Sequence, residues 1–149
     1  MSVTQSELPI GMRQNNPWNM KQFHIPWMGE SAADAQVADG GELFFATMEF
    51  GIRAGIRLCY TYQRRAWNEP AIFIPKFSPA AAGNPTAQYI LDVCAWTGFQ
   101  EDQELDFHDD QVMTRWAPAI WRQEQGASAS LITVADVLQA KALADNISG

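Results

Sequence analysis

The chain has 149 residues, 47% of them apolar and 18% charged, which is the size and composition of one folded domain and not of a disordered tail. Ten basic against 17 acidic residues give a net charge of −7. That balance argues against nucleic acid or an anionic membrane surface as the main partner, since both need a concentrated positive field.

The opening MSVTQSELPIG is polar and interrupted by proline. Residues 1–12 read as an arm ahead of a single domain, 13–149. The start has neither the basic n-region nor the apolar h-region of a secretory signal, and no run approaches the roughly 18 apolar residues of a membrane span. The expectation is synthesis in the cytoplasm and no membrane insertion. Residues 13–30, with two prolines and three asparagines, carry turn chemistry with one short extended segment. Gly40-Gly41 ends a loop, and Glu42 to Thr47 (ELFFAT) predicts a short strand.

From Met48 the pattern becomes helical. Met48, Ile52, Ile56, Cys59 and Tyr60 recur at helix spacing, which predicts a helix over 48–65. AIFIPKF predicts a short helix broken at Pro75, and residues 78–85 a loop. Thr86 is placed as the cap of a helix over 87–96 that ends at Gly98 and turns Tyr89, Ile90, Val93 and Cys94 inward. A third long helix is expected over 109–125, stopped by Gly126. A last one over 133–144 carries Val134, Val137, Leu138 and Leu143. The expected fold class is mainly α (α+β), with residues 15–47 as an irregular β-containing lobe.

Most chemical signatures fail on inspection. Cys59 and Cys94 sit in apolar helical stretches and read as two buried free thiols. The six tryptophans read mainly as core. Asp102, Glu104 and Asp106 alternate like the first ligands of a calcium loop. Phe107 then stands where the loop needs glycine, and Met113 where it needs a bidentate Glu. The stretch 101–110 therefore reads as a solvated acidic loop favoured by the dipole of the following helix. His24 and His108 have no second His or Cys at ligand spacing, so no metal and no other cofactor is expected. No nucleophile elbow and no phosphate loop is present.

One carboxylate stands out. Val112, Trp116 and Ile120 form an i, i+4 row facing the core, and Glu124 is its next member. A carboxylate that continues an apolar stripe at a helix end is partly desolvated, which favours its protonated form and suits a proton donor. The alternative is a Glu whose stem covers the core while its head reaches solvent. Asn15, Asn16 and Asn19 carry a similar pair of readings, a structural turn or substrate contact.

At this point a resemblance adds to the residues. Asn15-Asn16-Pro17-Trp18-Asn19-Met20, then Trp27-Met28-Gly29, then Phe45 to Ala54 ending Gly51-Ile52-Arg53-Ala54, follow the order of an "N-N-P-x-N-I … W-x-G … G-I-R-A" pattern. Lys76-Phe77-Ser78-Pro79, Asn84 to Ile90, and Ala119 to Gly126 (AIWRQEQG, against "A-I-x-x-x-E-N-G") complete it. Over about residues 11–126 the chain resembles a phage virion and endolysin-type family of peptidoglycan-degrading proteins in the lysozyme-like superfamily. The pieces also resemble those of lytic transglycosylases and autolysin-type glucosaminidases in another order, the Glu-bearing helix coming third instead of first. That is the order expected of a circular permutation. Gln125 stands where those proteins have Asn or Ser, and Trp18 where the turn usually has Gly.

The resemblance implies cleavage of the MurNAc–GlcNAc β-1,4 bond of peptidoglycan glycan strands, with Glu124 as the catalytic acid. A hydrolase would need a second carboxylate, for which Glu49 and Glu30 are the candidates. Tyr89, Asn16, Asn19 and Trp27 are the candidate substrate-binding residues. The implied setting is a phage-encoded protein acting on the cell wall and partnered by other virion proteins. The rival reading is a non-catalytic virion or wall-binding protein that keeps the fold.

Overall fold

The computed structural model describes residues 7–21, 43–80, 83 and 85–146. Within them the chain is mainly helical. The first element, α1 (Ile10–Arg13), is one turn long and buries Gly11 and Met12, so the packed part of the molecule reaches back into the segment read as an arm. The predicted strand at 42–47 is not formed in the described residues. Leu43 N donates to Met20 O and Phe45 N to Gln14 O, each at 2.9 Å, and the pairing stops at isolated bridge residues, Lys21 and Phe45. The β-containing lobe otherwise falls on residues outside the described ones.

Helix α2 (Met48–Arg64) begins as its sequence predicts. Thr47 is its cap, accepting from Phe50 N at 3.2 Å, and Glu49 lies in the positive first turn. Its apolar face buries Ile52, Ile56 and Cys59. Helix α3 (Pro70–Phe77) runs through Pro75 without breaking. Proline removes only the bond from its own nitrogen to the carbonyl of Ala71, and the helix ends two residues later, so little ladder is lost.

In α4 (Thr86–Thr97) the expected cap moves. Pro85 holds that position, while the Thr86 hydroxyl lies inside the helix and donates to Ser78 O at 2.8 Å, tying the helix to the preceding loop. Gly98, at φ 81°, ends α4 as predicted. Tyr89, Val93 and Thr97 form its buried row, with Ile90 and Cys94 only half-buried.

Helix α5 (Asp110–Gln125) is capped by Asp109, which accepts from Gln111 N at 2.8 Å. It is the centre of the core. Trp116, Ile120 and Trp121 have no solvent exposure, and a 3-10 segment (Gly126–Leu131) leads from its end to α6 (Val134–Ala144). Trp18 meets Trp121 edge-on at 5.3 Å, while Phe73 packs against Tyr62, Phe77, Phe107 and Trp116. Each large aromatic removes roughly 150–250 Å² from water, about 4–6 kcal/mol of hydrophobic stabilisation.

The inward face of α6 is not the expected one. Val137, Ala140, Lys141 and Ala144 are buried, an i, i+3, i+4, i+7 stripe, while Val134 and Leu138 face solvent. The two alanines let α6 lie close against α2, its main neighbour. The helices run in the same direction: Glu49 and Asp136 line one cleft near their starts, and Arg57 donates to Ala144 O at 3.0 Å near their ends. Lys141 bridges Asp110 at 2.8 Å and Asp145 at 3.1 Å, joining the end of α6 to the start of α5. Cys59 is buried and Cys94 half-buried, and both are free thiols. No single helix among the described residues is long and apolar enough to cross a membrane.

Candidate functional site

The site is built on the asparagine turn that follows α1. Asn15 and Asn19 both take left-handed backbone conformations, φ 57° and 53°, which asparagine tolerates better than other side chains. Between them Asn16 is fully buried, and its amide is spent on the backbone. Nδ2 donates to Met20 O and Leu43 O, and Oδ1 accepts from Met20 N, all at 3.0 Å. Asn16 is thus a structural residue of the turn, and its amide is not offered to a substrate. Asn15 donates to Phe45 O at 3.0 Å, and Trp18 Nε1 to Ile52 O at 3.1 Å.

The turn lies directly on two helices because glycines let it. A Cβ at Gly51 would sit 2.8 Å from the carbonyl carbon of Asn15 and closer still to its oxygen, and a Cβ at Gly55 would enter the Trp18 ring. At Gly11 a Cβ would meet Asn16 O at 2.8 Å, with Asn19 Oδ1 and Gln125 Nε2 nearer. Such distances are below any real Cβ contact, so backbone touches backbone only where the side chain is absent.

This approach brings Asn19 to the end of α5. Asn19 Nδ2 donates to Glu124 Oε1 at 2.8 Å, and the Tyr89 hydroxyl on α4 donates to Glu124 Oε2 at 2.8 Å. Three of the expected residues therefore meet: Glu124, Tyr89 and Asn19, from α5, α4 and the N-terminal turn. Glu124 is half-buried and both its oxygens accept from neutral donors. Partial burial disfavours the charge, as the row Val112–Trp116–Ile120 implies, while the two donors favour it. Tyr89 is 2% exposed. Burial first, then the charge of Glu124 and the hydrogen bond to it, push the phenol well above its ordinary range, so it acts as a neutral donor.

The remaining candidates lie elsewhere. Glu49 lines a separate cleft of about 360 Å³ with Met12, Met48, Ile52, Ile132 and Asp136, and neither Glu124, Tyr89 nor Asn19 is part of its wall. The structure does not bring this second carboxylate to the first. Trp27 and Glu30 lie outside the described residues. Of the tryptophans, Trp18, Trp116 and Trp121 are core, while Trp67 is half-buried and Trp96 is partly exposed beneath the Arg122 guanidinium at 4.1 Å. His108 is exposed and stacks on Tyr60 at 3.9 Å. Among the described residues no group of three or more His, Cys, Asp or Glu side chains could hold a metal ion.

Gln125 is the residue that the sequence reading missed as a participant. It is 3% exposed, and its Nε2 donates to Pro17 O at 2.9 Å and to Asn19 Oδ1 at 2.8 Å. A signal was present: Ala117, Trp121 and Gln125 form an i, i+4 row beside the row that ends in Glu124, and both rows point inward.

A comparison with protein-family models and with curated proteins finds no match for the chain.

Proposed function

We propose that this chain is a peptidoglycan-degrading enzyme of lysozyme-like, circularly permuted fold, phage-encoded and acting on the bacterial cell wall. It cleaves the MurNAc–GlcNAc β-1,4 bond with Glu124 as its acid. The observation that carries the reading is the meeting of Glu124 with Asn19 and Tyr89, three residues that the resemblance assigns to one site and that lie far apart in sequence.

The chemistry follows from one carboxyl group held in place. Protonated Glu124 gives its proton to the glycosidic oxygen as the C1–O4 bond breaks, leaving positive charge on the sugar ring. With Glu49 in another cleft, the route that needs no second carboxylate is favoured. The 6-hydroxyl of the same sugar attacks C1, its proton passes to the Glu124 carboxylate, and a 1,6-anhydro end results. Asn19 fixes one carboxylate oxygen. Tyr89, whose hydroxyl can turn from donor to acceptor, serves either protonation state of the other.

The test is digestion of purified sacculi with mass spectrometry of the fragments. The expected product carries anhydro-MurNAc ends, and Glu124→Gln lowers the rate by about 10² or more, the scale of a general acid. A reducing end would instead point to hydrolysis. Sacculi bound but left intact by the wild type would leave the non-catalytic, wall-binding protein as the reading.

A further inference from the structure

The orientation of a side-chain amide is set by neighbours that can only donate or only accept. Pro17 O is a backbone carbonyl and can only accept. Gln125 must therefore turn its NH₂ towards it, and the same nitrogen reaches Asn19 Oδ1. Asn19 Oδ1 is thereby committed as an acceptor, and the other end of that amide, Nδ2, is left to face Glu124 Oε1. Reversing the Gln125 amide would put its oxygen against Pro17 O and Asn19 Oδ1. Reversing Asn19 would put an oxygen against Glu124. Gln125 Oε1 itself is buried without a hydrogen bond, an unfavourable arrangement that the alternative orientation would worsen.

We infer that Gln125 is a positioning residue: through its hydrogen bond to Asn19 it sets which end of that amide meets Glu124, and so holds Asn19 as a permanent donor to the acid. The role in catalysis rests on the proposed muralytic reading; the amide order does not. The chain of bonds runs Pro17 carbonyl, Gln125, Asn19, Glu124, and no link in it can rotate without setting two oxygens against each other. Gly11 leaves the space in which Asn19 Oδ1 and Gln125 Nε2 meet. Tyr89 has no such constraint, since a hydroxyl turns freely, so the two oxygens of Glu124 are unequal. Oε1 faces a fixed donor, whereas Oε2 faces a partner that can accept a proton's hydrogen bond as well as give one.

The test reads the titration of Glu124 by carboxyl carbon NMR, which needs no substrate. In Gln125→Met both donors are lost, Asn19 is free to turn, and the Glu124 midpoint rises by roughly one pH unit as the fixed donor to the carboxylate is lost. The Asn19 side-chain amide signals shift with it. Should Gln125→Met fail to fold, Asn19→Asp provides the second arm. The carboxylate introduced there still accepts from Gln125 but offers only oxygen to Glu124, so the midpoint rises further. A folded variant of either kind whose Glu124 midpoint matches the wild type overturns the inference. On sacculi, Gln125→Met lowers kcat with KM little changed, while Gln125→Asn, too short to reach both acceptors, fails to restore it. A wild type inert on sacculi removes the muralytic reading and leaves the titration result standing.

Discussion

Replacing Gly51 by alanine sets two effects of opposite sign against each other. In an exposed helix interior, alanine is favoured over glycine by about 1 kcal/mol, so helix propensity alone predicts a more stable protein. Gly51 lies in α2, but a Cβ there would be 2.8 Å from the carbonyl carbon of Asn15, with the oxygen closer. To reach ordinary contact the carbonyl must retreat by roughly 1 Å or more, in an interior packed as densely as a crystal. It cannot do so freely, because Asn15 is held in a left-handed conformation and bonded to Phe45 O at 3.0 Å. Overpacking of this kind costs about 1–3 kcal/mol and more where backbone must move. A net loss of about 2–3 kcal/mol is expected, a fall in Tm of roughly 5–10 °C for a chain of this size. Thermal and urea unfolding measure it. A Gly51→Ala protein that melts at or above the wild-type temperature would mean that the turn does not lie on α2 as described.

Asn16→Ala removes three hydrogen bonds from buried backbone groups and is expected to cost about 2–4 kcal/mol in urea unfolding; unchanged stability with lost activity would return Asn16 to substrate contact. Tyr89→Phe leaves Glu124 Oε2 without its phenol donor, so the pH–rate profile on sacculi should move to higher pH on the limb set by the acid. Stability should also fall steadily as pH rises above about 9. Cys59 and Tyr60 are held above their ordinary values of 9.0 and 10.0 first by burial, and Tyr89 likewise, with Glu124 adding to it. At Lys141 burial lowers the value, but the Asp110 and Asp145 carboxylates outweigh it and leave it above 10.5. All four are raised in the fold, so each contributes stability that is complete below its unfolded value and is lost as pH climbs towards its folded one. Urea midpoints that stay level from pH 8 to 11 would contradict this.

The long helices were legible because burial and capping repeat at fixed spacing. The row Val112, Trp116, Ile120 pointed to Glu124, and Thr47, Asp109 and Thr133 marked helix starts that the structure keeps. Pattern failed where close approach decides. The apolar residues of α6 suggested a broad inward face, yet contact with α2 selects small Ala140 and Ala144 and leaves Val134 and Leu138 outside. Gly51 and Gly55 read as ordinary helix residues, although two glycines one turn apart mark a surface made for another backbone. Pro75 suggested a break because the rule concerns long helices, and a helix that ends two residues later hardly tests it. Thr86 was assigned a cap's role on residue type alone, and its hydroxyl serves the neighbouring loop. Within the site, Glu124 was found by spacing. Asn19 and Tyr89 came by resemblance, since no local pattern says that a turn at residue 19 meets a helix ending at 125.

Asn19 and Glu124 are separated by 105 residues, and Pro17 and Gln125 by 108. Joining positions so distant costs about 4 kcal/mol of loop-closure entropy, which is repaid only when the whole fold forms. Contacts of this kind form late in folding. A chain still being synthesised makes the asparagine turn long before the residue that the turn will hold. A partly folded molecule with its helices packed but its N-terminal segment loose has an acid group with only half its donors. The site therefore has no competent intermediate form, and the dissociation of residues 10–20 from α2 and α5 is enough to dismantle it while most of the helical core survives.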